Sequence, residues 1–170
     1  MKTTHSLLIL MAVMSLMACK QDVEQKCPDP VTKYSNRVHV ITLYVNTNID
    51  DKNSFEYANF GQKDGIPNKD FEIYVRKGDI VIWEGVSKSD SSDVVNIKSI
   101  KYEALKENEK STNFIGKESL RGNGGKNELV VGAILNGNIG DTMIYSVEYS
   151  VQKKGEDSPE TLHIDPKMHM

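Results

Sequence analysis

The chain has 170 residues, 38% hydrophobic and 26% charged, with a formal net charge of −3. This is globular composition without a broad basic field, which excludes a sequence-independent nucleic-acid binder. Only one stretch, at the N-terminus, is apolar enough to enter a bilayer, so a multi-span helical transporter is excluded too. That stretch opens with Lys2 and His5 and continues as Ser6–Met17, SLLILMAVMSLM. A charged start and a short apolar run make a signal peptide, and the run is well short of the ~20 residues a spanning helix needs.

The run ends in Leu16-Met17-Ala18-Cys19. This resembles the bacterial lipobox, with Leu at −3, a small residue at −1 and the obligatory Cys at +1. The resemblance implies that Cys19 is lipidated, that Ala18 is the last residue removed, and that the mature chain is held in the membrane by its acyl chains. Each buried CH₂ contributes about 0.8 kcal/mol, so two or three chains anchor stably. Lys20 rather than Asp follows Cys19, which in the enterobacterial sorting rule favours the outer membrane. The polar stretch Lys20–Lys26 resembles the charged surface-export signals of some lipoproteins, so either the periplasmic face or the cell surface is open. Cys27 is then left without an intramolecular partner, and nothing around Cys27-Pro28-Asp29-Pro30 would activate its thiol.

Residues 19–36 are polar, carry two prolines and read as a tether; residues 37–170 read as one domain. Its periodicity is two. Val38–Val45 places Ile41, Leu43 and Val45 on one face. Phe71–Arg76 alternates, Lys77-Gly78-Asp79 turns, and Ile80–Trp83 is apolar on both faces, as in a central strand. Val94–Tyr102 changes phase between Val95/Ile97 and Ile100/Tyr102, which predicts a bulge. Tyr102–Lys110 is a short helix or a polar excursion. Leu129–Leu135, Met143–Val151 and Thr161–Ile164 complete about seven strands. The segments 46–70 and 111–126 read as mobile loops. The pattern predicts a mainly β fold, a single antiparallel β-sandwich.

Phe71-Glu-Ile-Tyr-Val-Arg-Lys-Gly-Asp-Ile-Val-Ile-Trp83 resembles the second and third strands of cupredoxin-like domains, F-x-I-x-V-x-x-G-D-x-V-x-W. Gly140–Val147 is a second, weaker echo, similar to the strand before the family's metal-bearing loop. The resemblance implies two paired strands and a Trp closing the core. The type 1 copper ligands are missing: no Cys follows Cys27, and no His lies between Trp83 and His163. An immunoglobulin-like strand order fits the same alternation.

Local chemistry is sparse. His163, Met168, His169 and Met170 offer imidazole and thioether donors suited to Cu(I), the alternative to a chain with no metal or cofactor. The competing expectation is a surface His163 and a frayed Met-His-Met end. Asn46–Asp51 and Ser89–Asp93 carry hard oxygen donors without EF-hand spacing. Gly122-Asn123-Gly124-Gly125-Lys126 lacks P-loop spacing and leads into a strand. No hydrolase motif is present, so no catalytic residue is assigned and an enzyme is not expected. Trp83, Tyr74, Tyr145 and Tyr149 are candidate stacking residues, but alternation assigns them to the core except Tyr74, which is opposite in phase to Phe71, Ile73 and Val75. The expectation is therefore a lipid-anchored cell-envelope module that binds a protein or glycan through the loops at 46–70, 87–93 and 111–127.

Overall fold

A computed structural model of the chain describes residues 36–104 and 110–170. The stretch expected as a signal peptide, with Ala18, Cys19, Cys27 and the expected tether as far as residue 35, lies outside the described residues. So does most of the stretch expected as a helix or excursion after Tyr102.

Alternation decides the strands. β1 (Val38–Val45) buries Ile41, Leu43 and Val45, as its odd positions require. β2 (Ala58–Asn59), β3 (Glu72–Tyr74) and β4 (Ile80–Ser87) follow, with a 3-10 turn at Asn68–Asp70. Next come β5 (Val94–Tyr102), β6 (Ser119–Arg121) and β7 (Val130–Ala133). The long β8 (Thr142–Gln152) buries Met143, Tyr145, Val147, Tyr149 and Val151. β9 (Glu160–Ile164) and β10 (Lys167–His169) end the chain.

These strands form two sheets over one core, a mainly β sandwich. One sheet has the order β2-β1-β4-β7; the other runs β3-β10-β8-β5-β6, with β9 also on β8. β9 and β10 lie along the same edge of β8, separated at Asp165-Pro166, where a proline cannot donate to the ladder. The core closes on Trp83, whose Nε1 donates to Tyr145 OH at 3.4 Å, the rings meeting edge to face at 5.9 Å. The bulge expected in β5 is present between Ile97 and Ser99.

Four features differ from the sequence reading. The sheets are mixed: β1 runs parallel to β4 over eight residue pairs and β3 parallel to β10 over three. Alternation reports which face a side chain takes and is blind to the direction of the neighbouring strand. There are ten strands among the described residues, because β2, β6 and β10 are too short to show a period. The segments 46–70 and 111–126 are not simple surface loops, since Tyr57, Ala58, Phe60, Phe114 and Ile115 are core residues. Finally, the strands flanking Lys77-Gly78-Asp79 do not pair with each other. β3 lies in one sheet and β4 in the other, so the turn is a corner between sheets.

Asp79 holds that corner. It is 3% exposed; its Oδ1 accepts from Arg37 N (3.0 Å), and its Oδ2 accepts from Arg76 N (2.9 Å) and lies 2.8 Å from His39 Nε2. Burial alone pushes this carboxyl up, but the hydrogen bonds from Arg37, His39 and Arg76 outweigh it and hold it below the usual carboxylate range. Gly78 has φ of +95°, and a Cβ there would lie 2.9 Å from Asn36 Oδ1, so the position requires glycine.

The register of the first sheet sets an outward apolar row. Val40, Ile82 and Val131 are cross-strand neighbours, as are Val38, Ile80 and Ala133. Val81 and Trp83 point the other way, into the core.

Candidate functional site

The 46–70 segment leaves β1, returns through β2 and ends at the 3-10 turn. Asn46 N donates to Tyr57 O (2.7 Å), and Asn68 Nδ2 to Ala58 O (2.8 Å). Gln62 closes the outer turn, accepting from Phe60 N (2.7 Å) and donating to Asn68 Oδ1 (2.8 Å). Phe60 stacks on Phe71 at 4.6 Å, and the Lys52 ammonium pairs with Glu160 on β9. Side-chain amides serve the backbone polar groups that this segment cannot satisfy by strand pairing.

The tied segment makes a wall with an open groove on each side. One groove, about 560 Å³, lies toward β8 and β9; Phe55, Ile66 and Pro67 form its apolar wall. Its polar groups are Lys52, Asn53, Asn68, Lys69, His163 and Asp165, with Tyr149 among its lining residues. Burial, then Tyr57 and Glu160 beside it, push the Tyr149 phenol far above its ordinary value, so it stays neutral. The second groove, about 590 Å³, lies across Phe55 and carries Asn46, Glu56, Asn59, Asp64 and Lys88. Lys88 sits over the Tyr44 ring, its Nζ 4.8 Å from the centroid. Both grooves have volumes typical of ligand sites. An apolar ring bordered by amides, lysines and carboxylates suits a ligand rich in hydroxyl or amide groups.

The C-terminal donors are placed apart. His163 is exposed on β9, and Met168 is fully buried beneath β10. Met170 packs on the core edge. The end of the chain is a sheet strand rather than a frayed tail. His169 Nδ1 is 2.9 Å from Thr142 Oγ1, and its Nε2 is 2.8 Å from Glu72 Oε2. The second contact is off the line of a hydrogen bond, so Nε2 has charge proximity but no directional partner. The imidazole stacks on Tyr74 at 5.4 Å. This hydroxyl–imidazole–carboxylate set has the groups of a general-base relay, but Thr142, His169 and Glu72 line neither groove. Among the described residues no three His, Cys, Asp or Glu side chains converge as a metal site.

The remaining sequence candidates have structural partners. Thr47 is buried and donates to Asp93, with Ser89 Oγ also against it, and Asp93 accepts from Lys154 N (2.9 Å). These oxygens tie three loops together at one end of the sandwich. In the glycine-rich turn, Gly124 N donates to the buried Glu128 (3.0 Å), Gly122 N to Lys98 O and Asn123 N to Leu129 O. Three of its amides are thus spent on the protein itself. Of the four aromatics, Trp83, Tyr145 and Tyr149 are core; Tyr74 is 69% exposed, as its phase predicts. Sequence reasoning missed Phe55, Asn68 and Lys69, which lie in a segment without periodicity. The run of Asn and Gly there marked only turns.

No protein-family model and no curated protein sequence matches this chain.

Proposed function

We propose that the chain is a lipid-anchored, outer-membrane protein of the bacterial cell envelope that binds a glycan or protein segment without catalysing a reaction on it. The lipobox Leu16-Met17-Ala18-Cys19 supports the anchor. The paired grooves on either side of Phe55, built on a segment held by its own amides, carry the binding reading. A scaffold of this kind presents loop residues at low ordering cost. The domain is cupredoxin-like without type 1 copper ligands. The eight-pair parallel β1–β4 ladder supports this over an immunoglobulin-like order, whose sheets are antiparallel.

The test is a screen of the purified chain against arrayed glycans and envelope glycan fragments, repeated with Phe55→Ala and His163→Ala. A ligand whose affinity falls at least tenfold in Phe55→Ala, at unchanged melting temperature, is the expected result. Binding that neither substitution moves would overturn the assignment of the grooves. Loss of acyl labelling and of membrane fractionation in Cys19→Ser tests the anchor separately.

A further inference from the structure

One end of the sandwich combines exposed apolar side chains, exposed cations and the point where the chain enters. β1 and β4 both start there, in register at Val38 and Ile80. Ile80 N donates to Arg37 O (2.8 Å), and Gly78 N donates to Ile134 O (2.8 Å), which draws the end of β7 to the same corner. The turn 136–141 closes this end, with Gly140 N donating to Met170 O (2.7 Å).

Ile139, at the tip of that turn, is 96% exposed, Leu135 is half exposed, and Val38 is 62% exposed. Val40 and Val131, on the row with Ile82, extend this surface up the outer face of the first sheet. These five make up most of the large apolar side chains exposed among the described residues, and three of them, Val38, Val40 and Val131, share the outer face of the first sheet. Single exposed apolar residues are ordinary; a contiguous set is not.

Arg37, Arg76 and Lys77 rim the same end, all exposed and none paired with a carboxylate among the described residues. The acids on this turn and corner, Asp79 and Asp141, are not within ion-pair distance of these cations. Asp79 is buried at its corner, and Asp141 turns its carboxylate onto Asn138 N at 3.0 Å.

We infer that this end docks on an anionic lipid surface, with Ile139, Leu135 and Val38 entering the headgroup region and Arg37, Arg76 and Lys77 contacting lipid phosphates. The inference rests on the anchored reading. Cys19 is joined to Asn36 by 17 chain steps, which span at most about 60 Å when fully extended. The chain meets the domain at Asn36, beside these residues, so the anchored membrane is the surface to which this end is delivered. Each cation near an anionic leaflet strengthens binding roughly fivefold.

The test uses the acylated full-length chain, with Cys27→Ser, on vesicles of phosphatidylethanolamine and phosphatidylglycerol (7:3). Nitroxide labels are placed at Ile139→Cys or, at the opposite end, Glu156→Cys. The expected result is collision with oxygen but not with an aqueous nickel complex at 139, and the reverse at 156. The triple variant Arg37→Glu/Arg76→Glu/Lys77→Glu should return 139 to water while vesicle flotation persists. Aqueous access at 139 on acylated protein would overturn docking and leave the anchor standing. Shielding of 139 that persists in detergent, with spin–spin broadening, would assign this face to a second copy and also overturn it. Absence of acylation, read from the mass of the N-terminal peptide, would remove both readings.

Discussion

Removing the Asp79 carboxylate tests the corner on which the sandwich turns. Asp79→Ala leaves Arg37 N, Arg76 N and His39 without their acceptor. A hydrogen bond to a charged acceptor contributes about 1.5–3 kcal/mol, and a buried orphan donor costs about 1–3 kcal/mol. Because the three bonds share one carboxylate they are not additive, and we expect a loss of about 3–5 kcal/mol. At about 3–4 °C per kcal/mol for a domain of this size, melting falls by roughly 9–20 °C. Asp79→Asn keeps the shape but turns an NH₂ toward a backbone donor, and should cost about 2 kcal/mol. His39→Ala removes only the partly exposed contact and should cost about 1 kcal/mol. Trp83 is the only tryptophan and is fully buried, so urea unfolding followed by its fluorescence reports the transition.

The pH dependence has a fixed sign. The folded-state pKa of Asp79 is depressed, so its contribution is fully present above the unfolded value of about 3.9 and is lost as pH falls through the lower folded value. The gap between wild type and Asp79→Asn should therefore narrow only below about pH 4. A cost under 0.5 kcal/mol for Asp79→Ala, or a gap that closes already between pH 5 and 7, would refute the argument.

Three further outcomes are expected. Gly132→Ala brings a Cβ to 2.6 Å from Leu120 Cδ1 and 3.1 Å from the Trp83 ring; it should cost about 1–3 kcal/mol by urea unfolding, and a neutral result would mean that the second sheet yields there. Met168→Ala should cost about 2–5 kcal/mol because the side chain is fully buried, whereas a frayed tail would leave stability unchanged. Gly85→Ala places a Cβ 2.4 Å from Val95 Cγ1 and 2.9 Å from Val95 O, so a melting temperature lowered by several degrees is expected in calorimetry.

Much of the fold was legible because burial on one face writes a period of two. β1, β4, β5 and β8 were readable for that reason, as was the β5 bulge, where the phase slips. The double-sided apolar character of Ile80–Trp83 predicts a buried central strand. The strand is central in its sheet, but its outer side chains Ile80 and Ile82 belong to an apolar row only partly covered by the protein itself. The candidate grooves were legible only as a region, because the residues that line them obey no period.

The sequence by itself determined the strand-rich class, the inward residues of the long strands and the candidate lipidation motif. Each is a local pattern, readable from neighbours a few positions apart. Only the tertiary structure decided that β1 and β4 run parallel, that Asp79 closes a corner between sheets, and that Met168 is core while His163 is surface. The first two depend on partners about 40 residues away, such as Arg37 and His39 for Asp79. A backbone donor needing an acceptor, or a methionine filling a gap, leaves no periodic trace in the chain that supplies it.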